Sequence, residues 1–166
     1  MRYHLVTLAI VVLLLLLVGI LLPPLPIPTD LGPKMACGTN LSRLGKAMLL
    51  YANDYDDKFP TASSWCDLLL ERSGVSRTMF QCEGAGEGKC NYAINKYVVG
   101  TTTNASTDTV VLFETNAGWN QVGGPEILTI DNHQGLGCNV LFLDSHVEFV
   151  EAAQIPKLRW KEDQPK

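Results

Sequence analysis

At 166 residues and a net charge of −4, the chain is sized for one domain plus an appended segment. It lacks the basic excess that marks a nucleic-acid or anionic-lipid partner. Five cysteines in so short a chain point to disulfides, since the C-x2-C pairs of a structural zinc site are absent.

The N-terminus is dominated by Leu5 to Leu22, apolar apart from Thr7 and Gly19. As a helix this run would extend roughly 27 Å, close to a bilayer core. It predicts a transmembrane anchor over residues 1–22. Arg2 ahead of the run favours a cytoplasmic N-terminus, a single-pass cell-membrane location and a C-terminal domain on the exported side. A cleaved signal peptide is the rival reading, but the run is long and no small-x-small site ends it. Residues 23–36 read as an extended proline-rich linker, carrying Pro23, Pro24, Pro26, Pro28 and Pro33.

Residues 37–155 form the predicted domain. Thr39 or Asn40 caps a helix running to about Asn53, with its apolar stripe at Leu41, Leu44, Met48, Tyr51 and Tyr55. Asn53, Asp54, Asp56 and Asp57 end it. They offer hard oxygens to calcium, but the D-x-[DN]-x-[DN]-G pattern is missing. Ser64 and Asp67 make a capping-box variant ahead of Leu68-Leu69-Leu70, and Gly74 suits the stop. Short strands follow at 79–82, 90–94, 97–101, 109–114, 126–130, 139–143 and 146–150, the last two joined by a two-residue turn at Asp144-Ser145. Helix first and antiparallel strands afterwards is an α+β pattern. Residues 156–166 read as a polar tail.

Disulfides are expected within Cys37, Cys66, Cys82 and Cys90. The short Cys82 to Cys90 span stands out, although spacing leaves the connectivity open. Asp131, His133, Asp144, His146 and Glu148 are the one polar constellation with chemistry to offer, as metal ligands or an acid–base pair. Ordinary turn chemistry and a solvated strand face account for them as well. The 83–89 loop fails as a phosphate loop, because Glu83 stands where its first glycine belongs. Asn116, Trp119 and Asn120 sit in a loop suited to a ligand, with Trp119 equally suited to cover the core edge. No nucleophile motif is present. The expectation is a non-enzyme with no catalytic, cofactor-binding or metal residue.

Several stretches match a known family in order. Cys37, Asn40-Leu41, Leu44-Gly45, Tyr51, Asp54 and Phe59-Pro60 come first. Phe80-x-Cys82 and Asn91-Tyr92-Ala93-Ile94-Asn95 follow, and the set ends with His133, Asn139-Val140-Leu141-Phe142, Asp144 and His146. Together they resemble bacterial type II pseudopilin-like proteins of the planctomycete type, with their C-terminal H-x9-D-G-like signature. His133, Asn139, Asp144 and His146 fall on that signature. The spacing here is one residue longer, and Ser145 takes the place of the turn glycine. The resemblance implies a helix packed on a small antiparallel sheet. It also implies a structural or assembly role in an envelope or secretion-related system, with homo- or hetero-assembly among like subunits. The alternative is an anchored module binding polysaccharide or peptide, and less favoured is a metal-dependent hydrolase.

Overall fold

The computed structural model describes residues 2–21, 31–86, 88, 90–101 and 106–161. Helix α1 runs Arg2–Leu21. Its first turn holds Arg2, Tyr3 and His4, so among the described residues the apolar helical stretch is Leu5–Leu21, roughly 25 Å long at the helical rise. A hydrocarbon core is roughly 30 Å thick. Among the described residues, no helix is long and apolar enough to cross a membrane. This corrects the predicted transmembrane helix, the single-pass membrane anchor and the exported-side location drawn from it.

Helix α2 runs Leu31–Asp54. It begins well before the predicted cap, because Pro33 falls in its first turn, where the missing N–H has no helical acceptor to lose. Residues 31–36 of the expected linker are therefore helical, while 23–30 lie outside the described residues. Thr39 is interior and donates its hydroxyl to the Met35 carbonyl at 2.8 Å. The buried stripe is Cys37, Leu41, Leu44, Gly45, Met48, Tyr51 and Ala52. At Gly45 a Cβ would lie 2.8 Å from Leu141 Cδ1, so glycine lets the helix approach the sheet this closely. Asp56 and Asp57 take left-handed backbone conformations and end the helix, with the Asp57 amide donating to the Ala52 carbonyl at 2.9 Å.

Helix α3 runs Trp65–Arg72 and buries Trp65, Cys66 and Leu69. Ser64 makes no capping bond through its side chain, contrary to the capping-box expectation. The Asp67 carboxylate is instead engaged by Trp119 and Asn120. Gly74 has a φ of 66° just past the helix, as its sequence position suggests.

Among the described residues, five strands make one sheet, in the order β3-β1-β2-β4-β5. They are β1 Tyr92–Asn95, β2 Val110–Glu114, β3 Val122–Gly123, β4 Gly137–Phe142 and β5 Val147–Glu151. β1 and β3 are parallel, while the other pairs are antiparallel, so the sheet is mixed where an antiparallel one was expected. The segments expected as strands at 79–82, 97–101 and 126–130 are turns and short 3-10 helices. The β4–β5 loop is longer than the expected two residues. Phe142 and His146 close it by an amide-to-carbonyl bond of 3.0 Å, and Ser145 takes a φ of 73°.

Strand alternation sends residues to two packed faces. On one face Tyr92, Ile94, Leu112 and Leu141 meet α2. On the other, Ala93, Phe113, Val140 and Val150 are covered by Leu158 and Trp160. The segment expected as a polar tail thus supplies the lid of the second core. The Trp160 ring meets Phe113 edge-on at 4.9 Å, and the Val110 amide donates to the Arg159 carbonyl at 2.9 Å.

Candidate functional site

Four elements converge beneath the N-terminal half of α2. Strand β2 ends at Glu114, which sits on the helix-facing side in register with Tyr92. Cys37 hangs from α2. Cys82 comes from the loop before β1, where its amide is held by Asn91 Oδ1 at 3.0 Å. His133 closes a one-turn 3-10 helix, Asp131–His133. That turn presses so closely on the 83–85 turn that a Cβ at Gly84 would lie 2.0 Å from the Asn132 carbonyl oxygen. Only glycine permits the approach. The Tyr92 hydroxyl bridges the cysteine-bearing segments, lying 3.2 Å from the Cys37 carbonyl and 3.4 Å from that of Gln81.

Cys37 and Cys82 form a disulfide across 45 residues, with Cα atoms 4.8 Å apart, within the usual span for such a bond. At least one disulfide was expected among the four cysteines, but the short Cys82 to Cys90 span does not supply it. Cys66, Cys90 and Cys138 are free and buried. Cys66 and Cys90 face each other with Sγ atoms 3.9 Å apart. Burial pushes the Cys66 thiol up, while the bond from Cys66 holds Cys90 down.

Beside the disulfide lie Glu114 and His133, 0% and 2% exposed. His133 Nε2 is 3.0 Å from both carboxylate oxygens, but its aligned hydrogen bond is with Oε1. Asn139 Nδ2 donates to the same Oε1 at 2.8 Å and reaches the Lys34 carbonyl at 3.2 Å. Among the described residues, Glu114 Oε2 and His133 Nδ1 have no hydrogen-bond partner. Cys82 Sγ lies 3.8 Å from His133 Nε2. A fully buried carboxylate with one orphaned oxygen is costly, because the imidazole and amide offset only part of its desolvation. The donor atoms of Cys37, Cys82, Glu114 and His133 all lie within 4.8 Å of one another.

Of the residues singled out in the sequence, His133 and Asn139 meet here, on the helix face of the sheet. Asp144 and His146 do not. They pair at the exposed β4–β5 loop, where Asp144 Oδ1 accepts the His146 amide at 3.1 Å and contacts its Nδ1 at 2.5 Å. These bonds, the backbone one foremost, hold the Asp144 carboxyl below the usual range. Glu114 was not read as a site residue. Its only sequence signal is a charge closing the apolar run Thr109 to Phe113, which places an acid at a buried strand end.

The proposed ligand loop is largely occupied by the fold itself. Trp119 stacks obliquely on Phe80 at 5.0 Å, and its Nε1 donates to Asp67 at 3.0 Å. Asn120 Oδ1 accepts the Cys66 amide at 2.8 Å, and its Nδ2 donates to Asp67 at 2.5 Å. The Asp67 carboxyl is lowered by Asn120 first and Trp119 second. Asn116 is exposed.

Among the described residues, two largely apolar surfaces face outward. Along α1 the described side chains from Tyr3 to Gly19 are all exposed, Leu5 by 63% and Leu15 by 67%. A groove between the start of α2 and β5 is lined by Leu31, Met35, Gly38, Val147 and Phe149, with Lys34, Thr39, Ser42 and Asn139 among them. Compared with known protein families, with curated proteins and with solved structures, the chain matches none.

Proposed function

We propose that the chain is a non-enzymatic, pseudopilin-like assembly subunit. It packs with copies of itself or with related subunits, as in secretion-related systems, through its N-terminal helix. The observation that supports this is α1, whose described side chains from Leu5 to Val18 are apolar, Thr7 apart, and exposed. A contiguous apolar surface of that extent marks an interaction site. Like helices packed side by side would bury it on all flanks. The α2–β5 groove, whose apolar lining is Leu31, Met35, Val147 and Phe149, is a second surface on which a neighbouring helix can rest.

The test is sedimentation and electron microscopy of the full chain beside a Val12→Lys/Leu16→Lys variant, which charges one face of α1. The native chain should form multi-copy particles of uniform width, and the variant should run at monomer mass. A native chain that stays monomeric at high concentration, or a variant that assembles equally well, would exclude this role.

A further inference from the structure

We propose that Cys37, Cys82, Glu114 and His133 form a redox-gated site for a divalent transition metal of the zinc type, closed by the disulfide and opened by a dithiol reductant. The donor set comprises two sulfurs, one imidazole nitrogen and one carboxylate oxygen. Four such donors are the number and kind that zinc takes in tetrahedral coordination. Each comes from a different element, so the fold rather than a local motif assembles them. Their ligand atoms lie within 4.8 Å of one another, so side-chain rotations alone bring all four around one ion.

The surroundings point to a ligand and not merely to a cross-link. A disulfide is neutral and packs well among apolar side chains. This one borders a carboxylate that is 0% exposed and whose Oε2 has no hydrogen-bond partner among the described residues. That oxygen is the atom a cation would take. Asn139 Nδ2 holds the other oxygen at 2.8 Å, as outer-shell partners orient metal-binding carboxylates. A dication would also offset the charge that two thiolates and a carboxylate bring into a dry interior.

The chemistry balances without further components. The dithiol delivers two electrons and two protons, the Cys37–Cys82 bond breaks to give two thiols, and the dithiol becomes its own disulfide. Metal binding then releases both thiol protons to solvent as two sulfur–metal bonds form. In the oxidised state both sulfurs are tied to each other, leaving only imidazole and carboxylate, too few donors for a closed site. The bound and cross-linked states therefore exclude one another.

The experiment uses the full chain, reduced with dithiothreitol, freed of it anaerobically and titrated with Co2+ and then Zn2+. One equivalent of Co2+ should bind with a thiolate-to-cobalt charge-transfer band that Zn2+ abolishes, and the unreduced chain should show no band. Zn2+ should slow the alkylation of Cys37 and Cys82 in the reduced native chain and leave the already slow rates at the buried Cys66, Cys90 and Cys138 unchanged. Glu114→Gln and His133→Ala should each weaken binding by at least about tenfold. The alkylation map needs no variant, so a misfolded substitution does not spare the proposal. Absence of a band after reduction, protection of Cys66 and Cys90 instead, or native affinity in folded His133→Ala would overturn it. So would a reduced chain that unfolds and is not refolded by Zn2+.

Discussion

Asp144 and His133 show how two residues of one sequence signature come to play separate parts. Asp144 stays at the solvent-facing loop, where accepting the His146 amide stabilises its charged form. Because its folded pKa is lowered, the stability it contributes is present above its unfolded value. It is lost as pH falls through the lower folded value. Carboxyl-carbon NMR should therefore show Asp144 titrating below ordinary aspartates, moving partway back in His146→Ala, which removes the imidazole but keeps the backbone bond. An ordinary titration in the native chain would rule out this loop geometry. His133 is drawn to the opposite setting, because the close contact at Gly84 seats its turn against the 83–85 loop. Its ring also meets Phe149 edge-on at 5.5 Å.

At the scale of elements, the sheet depends on a helix for one face and on a few residues of irregular chain for the other. Leu158 and Trp160 close the second core, and Trp160 is only 5% exposed. Trp160→Ala should lower stability by about 3–5 kcal/mol, the range for emptying a buried aromatic site, read as a shift in the urea midpoint. Trp119→Ala should cost less, since that ring is half-buried at the edge of the other core. If the two variants unfold at the same midpoint, the 156–161 segment is not the lid described here. Among the described residues, β5 leaves one edge of the sheet unpaired, beside the groove that α2 borders.

For the whole molecule, the Cys37–Cys82 bond ties the first helix of the core to the loop that precedes the sheet. Closing 45 residues removes conformational freedom from the unfolded chain worth about 4 kcal/mol on the loop-entropy model. Cys37→Ser/Cys82→Ser should accordingly unfold at clearly lower urea concentration than the oxidised native chain. The native chain reduced in the presence of a chelator should behave similarly. Equal midpoints for all three would mean that the cross-link adds nothing to the fold. The uncovered α1 is the other feature of this scale, because a helix apolar along its length is a poor partner for water and a good one for its own kind.

The amino-acid sequence alone determined the elements whose signals are local. The stripe from Leu41 to Tyr51 specified the core of α2, the β-branched run at Val110 specified β2, and the turn residues Asp144-Ser145 between two apolar segments marked β4 and β5. Those signals are carried by neighbours three, four or two residues apart, so they are legible without a fold. His133, Asn139 and the cysteine pool were also marked. Only the tertiary structure decided that Cys37 pairs with Cys82, that β3 joins β1 in parallel, and that Leu158 and Trp160 belong to a core. It alone placed Glu114 beside His133. Each of these joins residues far apart in the chain, and such pairings are set by which faces must be buried together.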